Sequence, residues 1–390
     1  MRILAIETSC DETAVAIIET EKNGDFKILA NIISSQIKVH QKFGGVVPNL
    51  ARREHEKNLS HVLENSLSNA KLLKIKKILS KASETHLKTA GSLLLREKKL
   101  KNKLIKLLRT IEKPDLDYLA ITKGPGLAPA LWTGVNCIKA LSEYWSIPII
   151  PINHMEGHIV SALIETKPTK SIDGFPKIFL KKLITPTIAL LVSGGHTELH
   201  LIKKYGNYKR LGDTLDDAAG EAFDKVAKML GLKYPGGPEI SRLANLGIRN
   251  AIPFPRPLLN KNNFNFSFSG LKTSVLYYLR DNPKYNKEDV AASFETAVVE
   301  TLVQKTFRAL EEFEAKSILI GGGVAANNYL RDCIKKTAKA KLKSLPIYMP
   351  LLSNSGDNAL MIALAASKKL KNAIKQTALN ATANWQLEIY

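Results

Sequence analysis

The sequence predicts an α/β chain of two domains, each a mixed sheet flanked by helices, with a nucleotide cleft between them. Three observations carry this. The segment RILAIETSCDETAVAII (residues 2–18) and the segment TIALLVSGGHTELHLI (187–202) share one plan, in which an apolar strand, a polar turn and a second strand follow each other. The segment SILIGGGVAANNYLRDCI (317–334) reads as a buried strand, a glycine turn and a helix. At 390 residues and 45% hydrophobic, the chain exceeds what one core usually serves. Residues 1–150 are assigned to an N-terminal domain and 151–390 to a C-terminal one, whose last segment is expected to pack back on the first domain.

In chain order, the first hairpin places Thr8 and Ser9 at its tip, with Asp11 and Glu12 just beyond. The second hairpin places Ser193, Gly194 and Gly195 there, after Leu191 and Val192. Two such tips facing one another offer backbone N–H groups and hydroxyls to a phosphate from both sides. The triple glycine Gly321 to Gly323 lets backbone come close to a flat ligand such as adenosine. It matches neither the dinucleotide fingerprint nor the phosphate loop.

Between the hairpins lies INHMEGHIVSAL, with His154 and His158 four residues apart. On a helix this spacing sets two imidazoles on one face, about 5–6 Å apart at Cβ, where both reach one metal ion. A third ligand is needed. Zinc proteases of the H-E-x-x-H type carry a glutamate directly after the first histidine, and Met155 stands here instead. Glu156 lies two steps on, pointing away, so peptide hydrolysis lacks its base. His40, His55 and His61 are expected to pack or to hydrogen-bond, His196 follows the second hairpin's glycines where it can meet a ligand or metal, and none of the four is assigned to the site.

The formal charge of +21 and pI of 9.7 favour a polyanionic partner, nucleic acid before membrane. Roughly half of that charge sits in residues 71–113, where leucines recur at helical intervals between lysines, as in a basic amphipathic pair of helices. Cys10, Cys137 and Cys333 show no paired spacing, in keeping with a reduced compartment. The start MRILAIETSCDE has no signal-peptide pattern and no apolar run reaches the length of a membrane span, so a cytoplasmic location is expected.

The motifs IETSCDET, FGGVVPNLARREH, GPGL, INHMEGH, LVSGGHTEL, TLDDAAGEAFDK, YPGGPEIS, FSFSGLKT, GGGVAANNYLR and GDNALMIA follow one another along nearly the whole chain. In kind and order they resemble the TsaD family of bacterial tRNA N6-adenosine threonylcarbamoyltransferases, formerly called O-sialoglycoprotein endopeptidases. The resemblance implies the two-domain actin-like ATPase fold. It also implies transfer of a threonylcarbamoyl group from threonylcarbamoyl-adenylate to N6 of the adenosine beside the anticodon, position 37, in tRNAs reading codons that start with A, with release of AMP.

Carried over residue by residue, it implies that Asp357 joins His154 and His158 around one divalent metal, Fe(2+) before Zn(2+). It places Leu191, Val192, Ser193, Gly194, Gly195, Asp224, Gly237 and Asn327 around the adenylate. Asp11 and Glu12 are the candidates for orienting the attacking amine or taking its proton. The implied partners are tRNA, a degenerate paralogous subunit (TsaB-like) and a small P-loop ATPase (TsaE-like), with no membrane. Against the family's short connection at this point, residues 71–113 read as an insertion. Asn49 stands where the family commonly has glutamate. A small-molecule kinase of the same fold would not need the two histidines and Asp357. A non-catalytic subunit of a tRNA-modification complex would lack them.

Overall fold

The computed structural model describes residues 1–76, 81–167, 173–342 and 344–387. Its strands are β1 (Arg2–Glu7), β2 (Glu12–Thr20), β3 (Phe26–Ser35), β4 (Tyr118–Gly124), β5 (Ile149–Asn153), β6 (Ile164–Thr166), β7 (Lys177–Leu180), β8 (Thr187–Val192), β9 (Thr197–Lys204), β10 (Asn207–Asp213), β11 (Ser317–Gly321) and β12 (Ile347–Tyr348). Its α-helices are α1 (Ile37–His40), α2 (Pro48–Asn69), α3 (Lys81–Ser92), α4 (Lys98–Thr110), α5 (Ala128–Trp145), α6 (His154–Ser161), α7 (Ala219–Met229), α8 (Gly236–Ala244), α9 (Ser269–Asp281), α10 (Lys287–Glu312), α11 (Asn328–Lys341) and α12 (Ala359–Ser367).

The strands form two sheets of one design. The first runs β5-β4-β1-β2-β3-β7-β6 and the second β10-β9-β8-β11-β12. In each, an antiparallel meander (β1-β2-β3, β8-β9-β10) is extended at its first strand by two parallel strands (β4 and β5, β11 and β12). Strands β1 and β8 sit centrally and are buried on both faces, which is why they read as continuous apolar runs rather than alternating ones.

A boundary at residue 150 would cut β5, whose parallel pairing with β4 holds it in the first sheet. Strands β6 and β7 also belong to that sheet, because β7 pairs with β3 and covers its open edge. The change of sheet falls between Leu180 and Thr187. Helix α12, far beyond residue 150, packs its alanines, leucines and Met361 with Ile3, Ala5, Ala16 and Ile18 of the first sheet. The tail follows it. The N–H of Gly126 donates to Ala383 O at 3.0 Å and Asn153 Nδ2 to Trp385 O at 3.0 Å.

Residues 71–113 form the expected pair of helices over their described part. In α4, Leu100, Leu104, Leu107 and Leu108 are buried in one cluster with Leu59 and Leu63 of α2 and Ile138 and Leu141 of α5. Each fully buried leucine contributes about 1.5–3 kcal/mol of apolar burial, so the pair is anchored to the lobe.

Helices α6 and α12 lie between the sheets, and one glycine sets their spacing. A Cβ at Gly157 would stand 2.9 Å from Ile362 Cδ1 and 3.0 Å from Met361 Cγ. Glycine lets the two helices touch at this point, with a histidine on each side of it in sequence.

Candidate metal centre and cleft

Helix α6 begins at His154 because Asn153 caps it, its Oδ1 accepting from Met155 N at 2.9 Å. Helix α12 begins after Asn358, which caps it in the same way through Met361 N at 3.0 Å. Asp357 is thereby held at the end of one buried helix, facing the histidines of the other. Its Oδ1 lies 3.3 Å from His154 Nε2 and 3.2 Å from His158 Nε2. The two rings meet edge to face, with centroids 4.7 Å apart. One donor atom from each of the three residues lies within 4.8 Å of the others.

A further shell was not legible in the sequence. Glu7, the last residue of β1 and fully buried, sets Oε2 3.2 Å from His154 Nδ1. Thr122 Oγ1 donates to that carboxylate, and the N–H of Ser9 donates to its other oxygen at 2.5 Å. Ser9 Oγ lies 3.2 Å from His154 Nδ1. A proton on Nδ1 directed at Glu7 fixes the tautomer and leaves the Nε2 lone pair free on the side of Asp357. The signal that went unread was a carboxylate closing an otherwise apolar strand.

The electrostatics fit a cation. Burial works against a charged His154, yet Asp357 and Glu7 hold its pKa up to about 10. Burial would raise Asp357 and Glu7, but His154 outweighs it, leaving Asp357 well below the usual carboxylate range and Glu7 below it. Two buried carboxylates thus demand positive charge, which a proton supplies in part. His158, 1% exposed, has no hydrogen-bond partner at Nδ1, and its Nε2 faces Asp357 Oδ1 at 3.2 Å. A buried imidazole turned to a carboxylate and a second imidazole suits a divalent ion with N/O ligands.

Asp11 and Glu12 begin beside this centre. Burial, then the charge of Asp357, raises the Asp11 carboxyl, and Tyr234 from the second lobe donates its hydroxyl to Asp11 Oδ2 at 3.4 Å. Burial, then Asp11, pushes Glu12 up to about 8, and Ser35 Oγ donates to it at 2.9 Å. Burial, and then Asp11, raise the Cys10 thiol well above its ordinary value, which disfavours its thiolate form.

Across the cleft, Leu191 and Val192 are buried at the end of β8, whereas Gly194 and Gly195 are exposed with open space where a Cβ would stand. The turn is tied by Ser193 N donating to His196 O at 2.8 Å and by His196 N donating to Ser193 Oγ at 3.1 Å. Behind it, Gly322 adopts φ +92°, and a Cβ there would strike Val192 O at 2.2 Å, so the glycine turn packs directly on the second hairpin. Asp224 on α7 accepts from Gly236 N at 2.6 Å, and burial pushes its pKa up to about 6. Gly237, next to it in the first turn of α8, has open space before it.

Asn327 differs from the rest. Its Oδ1 caps α11 by accepting from Leu330 N at 2.8 Å, and its Nδ2 donates to Glu295 Oε1 at 2.8 Å and Ser241 Oγ at 3.0 Å. The side chain is committed to holding α11 and α8 together. Two other histidines are held by the protein: His55 lies 2.8 Å from Thr13 Oγ1 and 3.0 Å from Cys10 O, and His40 lies 3.1 Å from Gln36 Oε1, whereas His196 is near enough to His154, His158 and Asp357 to feel their charge. Glu156 points away from the metal centre, accepting from Tyr208 OH at 2.8 Å and pairing with Lys369 Nζ at 2.5 Å.

Comparison with known proteins agrees with this geometry. The family model described as TsaD, tRNA N6-adenosine threonylcarbamoyltransferase, matches residues 27–79 and 97–364, so 80–96, a shorter stretch than 71–113, is the internal segment outside the family's pattern. The chain is 43% identical to a Kosmotoga olearia protein of that name, over 96% of this chain and 95% of the relative. It is 41% identical to one from Thermosipho africanus (99% and 100%) and 39% identical to one from Bacillus subtilis (96% and 92%). The solved structure of full-length HypF in its phosphate- and nucleotide-bound form superposes with a TM-score of 0.51 at 13% identity, covering 95% of this chain and 46% of that one. That likeness concerns the fold, the actin-like ATPase architecture of two mixed sheets with a cleft between them. With 321 of its residues inside the family model and relatives alike over nearly their whole length, the chain belongs to the TsaD family of tRNA N6-adenosine threonylcarbamoyltransferases.

Proposed function

We propose that the cleft binds threonylcarbamoyl-adenylate and passes its acyl group to N6 of adenosine 37 in tRNAs that read codons starting with A. The exocyclic nitrogen forms a bond to the carbamoyl carbon, the bond from that carbon to the phosphate oxygen breaks, and AMP leaves with the electron pair. The nitrogen gives up one proton; of the two candidate acids, Asp11 takes it, and Glu12, whose carboxyl keeps its own proton up to about pH 8, orients the amine.

The observation that carries this reading is the convergence of His154, His158 and Asp357, with Asp11 close enough to feel the charge of Asp357 and Asp224 of the second lobe close enough to feel that of Asp11. His154, His158 and Asp357 would hold the metal, Fe(2+) before Zn(2+), and a divalent ion there supplies Lewis-acid polarisation of a carbamoyl or phosphate oxygen. The exposed turn at Gly194 and Gly195, next to Ser193, would receive phosphate at its backbone amides. Asp224 suits the ribose hydroxyls as an acceptor. Leu191 and Val192 shape the wall, and Gly237 allows close approach. Asn327 acts through the placement of α11 and α8. A cytoplasmic site of action and work alongside a TsaB-like paralogue and a TsaE-like ATPase belong to the same reading. Among the described residues no helix is long and apolar enough to cross a membrane.

Incubation of the metal-loaded protein and these partners with threonylcarbamoyl-adenylate and unmodified tRNA should give threonylcarbamoyladenosine by nucleoside mass analysis, with AMP formed in equal amount. AMP without the modified nucleoside, or neither product, would overturn the proposal.

A further inference from the structure

We propose that the outer face of α4 is a docking surface for the phosphate backbone of the tRNA body, a reading that rests on the tRNA-modifying role of the cleft. Helix α4 (KKLKNKLIKLLRT) contains no acidic residue. Its rotation is fixed by burial of Leu100, Leu104, Leu107 and Leu108 against α2 and α5. At 100° per residue, Lys98, Lys99, Lys103, Lys106 and Arg109 then fall within about 140° of one another on the opposite face, over about 17 Å of helix. All five are exposed.

Apart from Arg109, which suits the last turn and pairs with Glu84, the helix gains nothing from this arrangement. Lys98 and Lys99 occupy its first turn, where the positive end of the dipole disfavours cations, and no side chain caps it. The preceding residue, Glu97, is turned inward to accept from Asn136 Nδ2 at 3.2 Å rather than screening them. Arg109 is paired with Glu84, and Lys103 Nζ donates to Lys57 O at 2.9 Å, which leaves the other lysines of the face without an acidic partner among the ion pairs of the described residues. An uncompensated cationic strip that costs helix stability is explained by a polyanion outside the chain.

Its position suits the substrate of the cleft. Glu97 is close enough to Arg52 and Glu56 for their charges to shift its carboxyl, and those residues flank His55, whose ring lies against the carbonyl of Cys10 at the first hairpin tip. Exposed Arg53 and Lys57 continue the cationic strip along α2. The strip therefore starts beside the wall of the cleft and leads away from it, along the path of an RNA stem whose loop enters the site.

The test is the salt dependence of tRNA binding, measured with unmodified tRNA and no donor. Replacing four lysines together (Lys98→Gln, Lys99→Gln, Lys103→Gln, Lys106→Gln) should lower the slope of log K against log salt by about 3 and weaken binding at least about tenfold near 0.1 M salt. The double variant Lys98→Gln/Lys99→Gln, relieved of its dipole conflict and so at least as stable, should show about half that change in slope. A control of equal charge change on the second lobe (Lys203→Gln, Lys204→Gln, Lys335→Gln, Lys336→Gln) should leave the slope near that of the parent. An unchanged slope in the α4 variants, or an equal fall in the control, would overturn the proposal. Binding is read without turnover, so absence of transfer would count against the proposed reaction and not against this surface.

Discussion

Glu7 stands behind His154, its Oε2 3.2 Å from Nδ1, so a residue from the first strand sets the ring by which a helix 147 residues later faces Asp357. If that carboxylate orients a metal-binding imidazole, Glu7→Gln should fold normally and weaken metal binding about 10–100-fold. Competition against a chelator of known affinity measures it. An affinity equal to the parent's would mean that Glu7 serves only to balance charge.

If Asp357 is the third donor, its loss should exceed that of Glu7. Asp357→Ala removes the carboxylate that both Nε2 atoms face, and its metal content after dialysis should fall below that of Glu7→Gln, with transfer activity down by more than about 100-fold. Normal metal content by elemental analysis would refute the three-residue site.

Gly157 tests the contact between the two ligand-bearing helices. Gly157→Ala drives a methyl into Ile362 and Met361, and overpacking of this kind costs about 1–3 kcal/mol. Urea unfolding should show that loss, together with weaker metal binding because α6 moves relative to Asp357. A variant as stable as the parent would show that the helices yield there at no cost.

Glu12 gives a pH signature. Its folded pKa is raised from 4.5 to about 8, chiefly by burial, so the native state holds a proton that the unfolded chain releases. Its contribution to stability is therefore fully present below about pH 4.5 and is lost as pH rises through 8. In metal-free protein, Glu12→Gln should flatten the decline in unfolding free energy between pH 5 and 8. A parent-like slope in the variant would assign the decline elsewhere.

Much of this molecule was legible without coordinates. The two hairpins, the strand and turn at Ser317 to Gly323 and the helical pair within 71–113 follow from local periodicity and turn chemistry, which act over a few residues. The return of the C-terminal segment, α12 included, to the first domain was expected, but the membership of β5, β6 and β7 in the first sheet was not, because it rests on long-range pairing that no local pattern announces. Asn327 reads as a ligand-binding amide, and only the fold reveals that its amide hydrogens go to Glu295 and Ser241 while one lone pair of its oxygen caps α11 at Leu330, leaving the second lone pair for a ligand.

The sequence alone offered His154 and His158 as a pair able to share a metal, added Asp357 through the family resemblance, and determined which segments become strands and helices, since residue chemistry and hydrophobic period are properties of the chain itself. Only the tertiary structure decided that Glu7 stands behind His154, that Asp357 meets His158 at 3.2 Å, and that α4 turns its lysines outward beside the cleft. Those relations depend on how two sheets and the helices between them are stacked, and stacking is fixed by the burial of surfaces far apart in sequence.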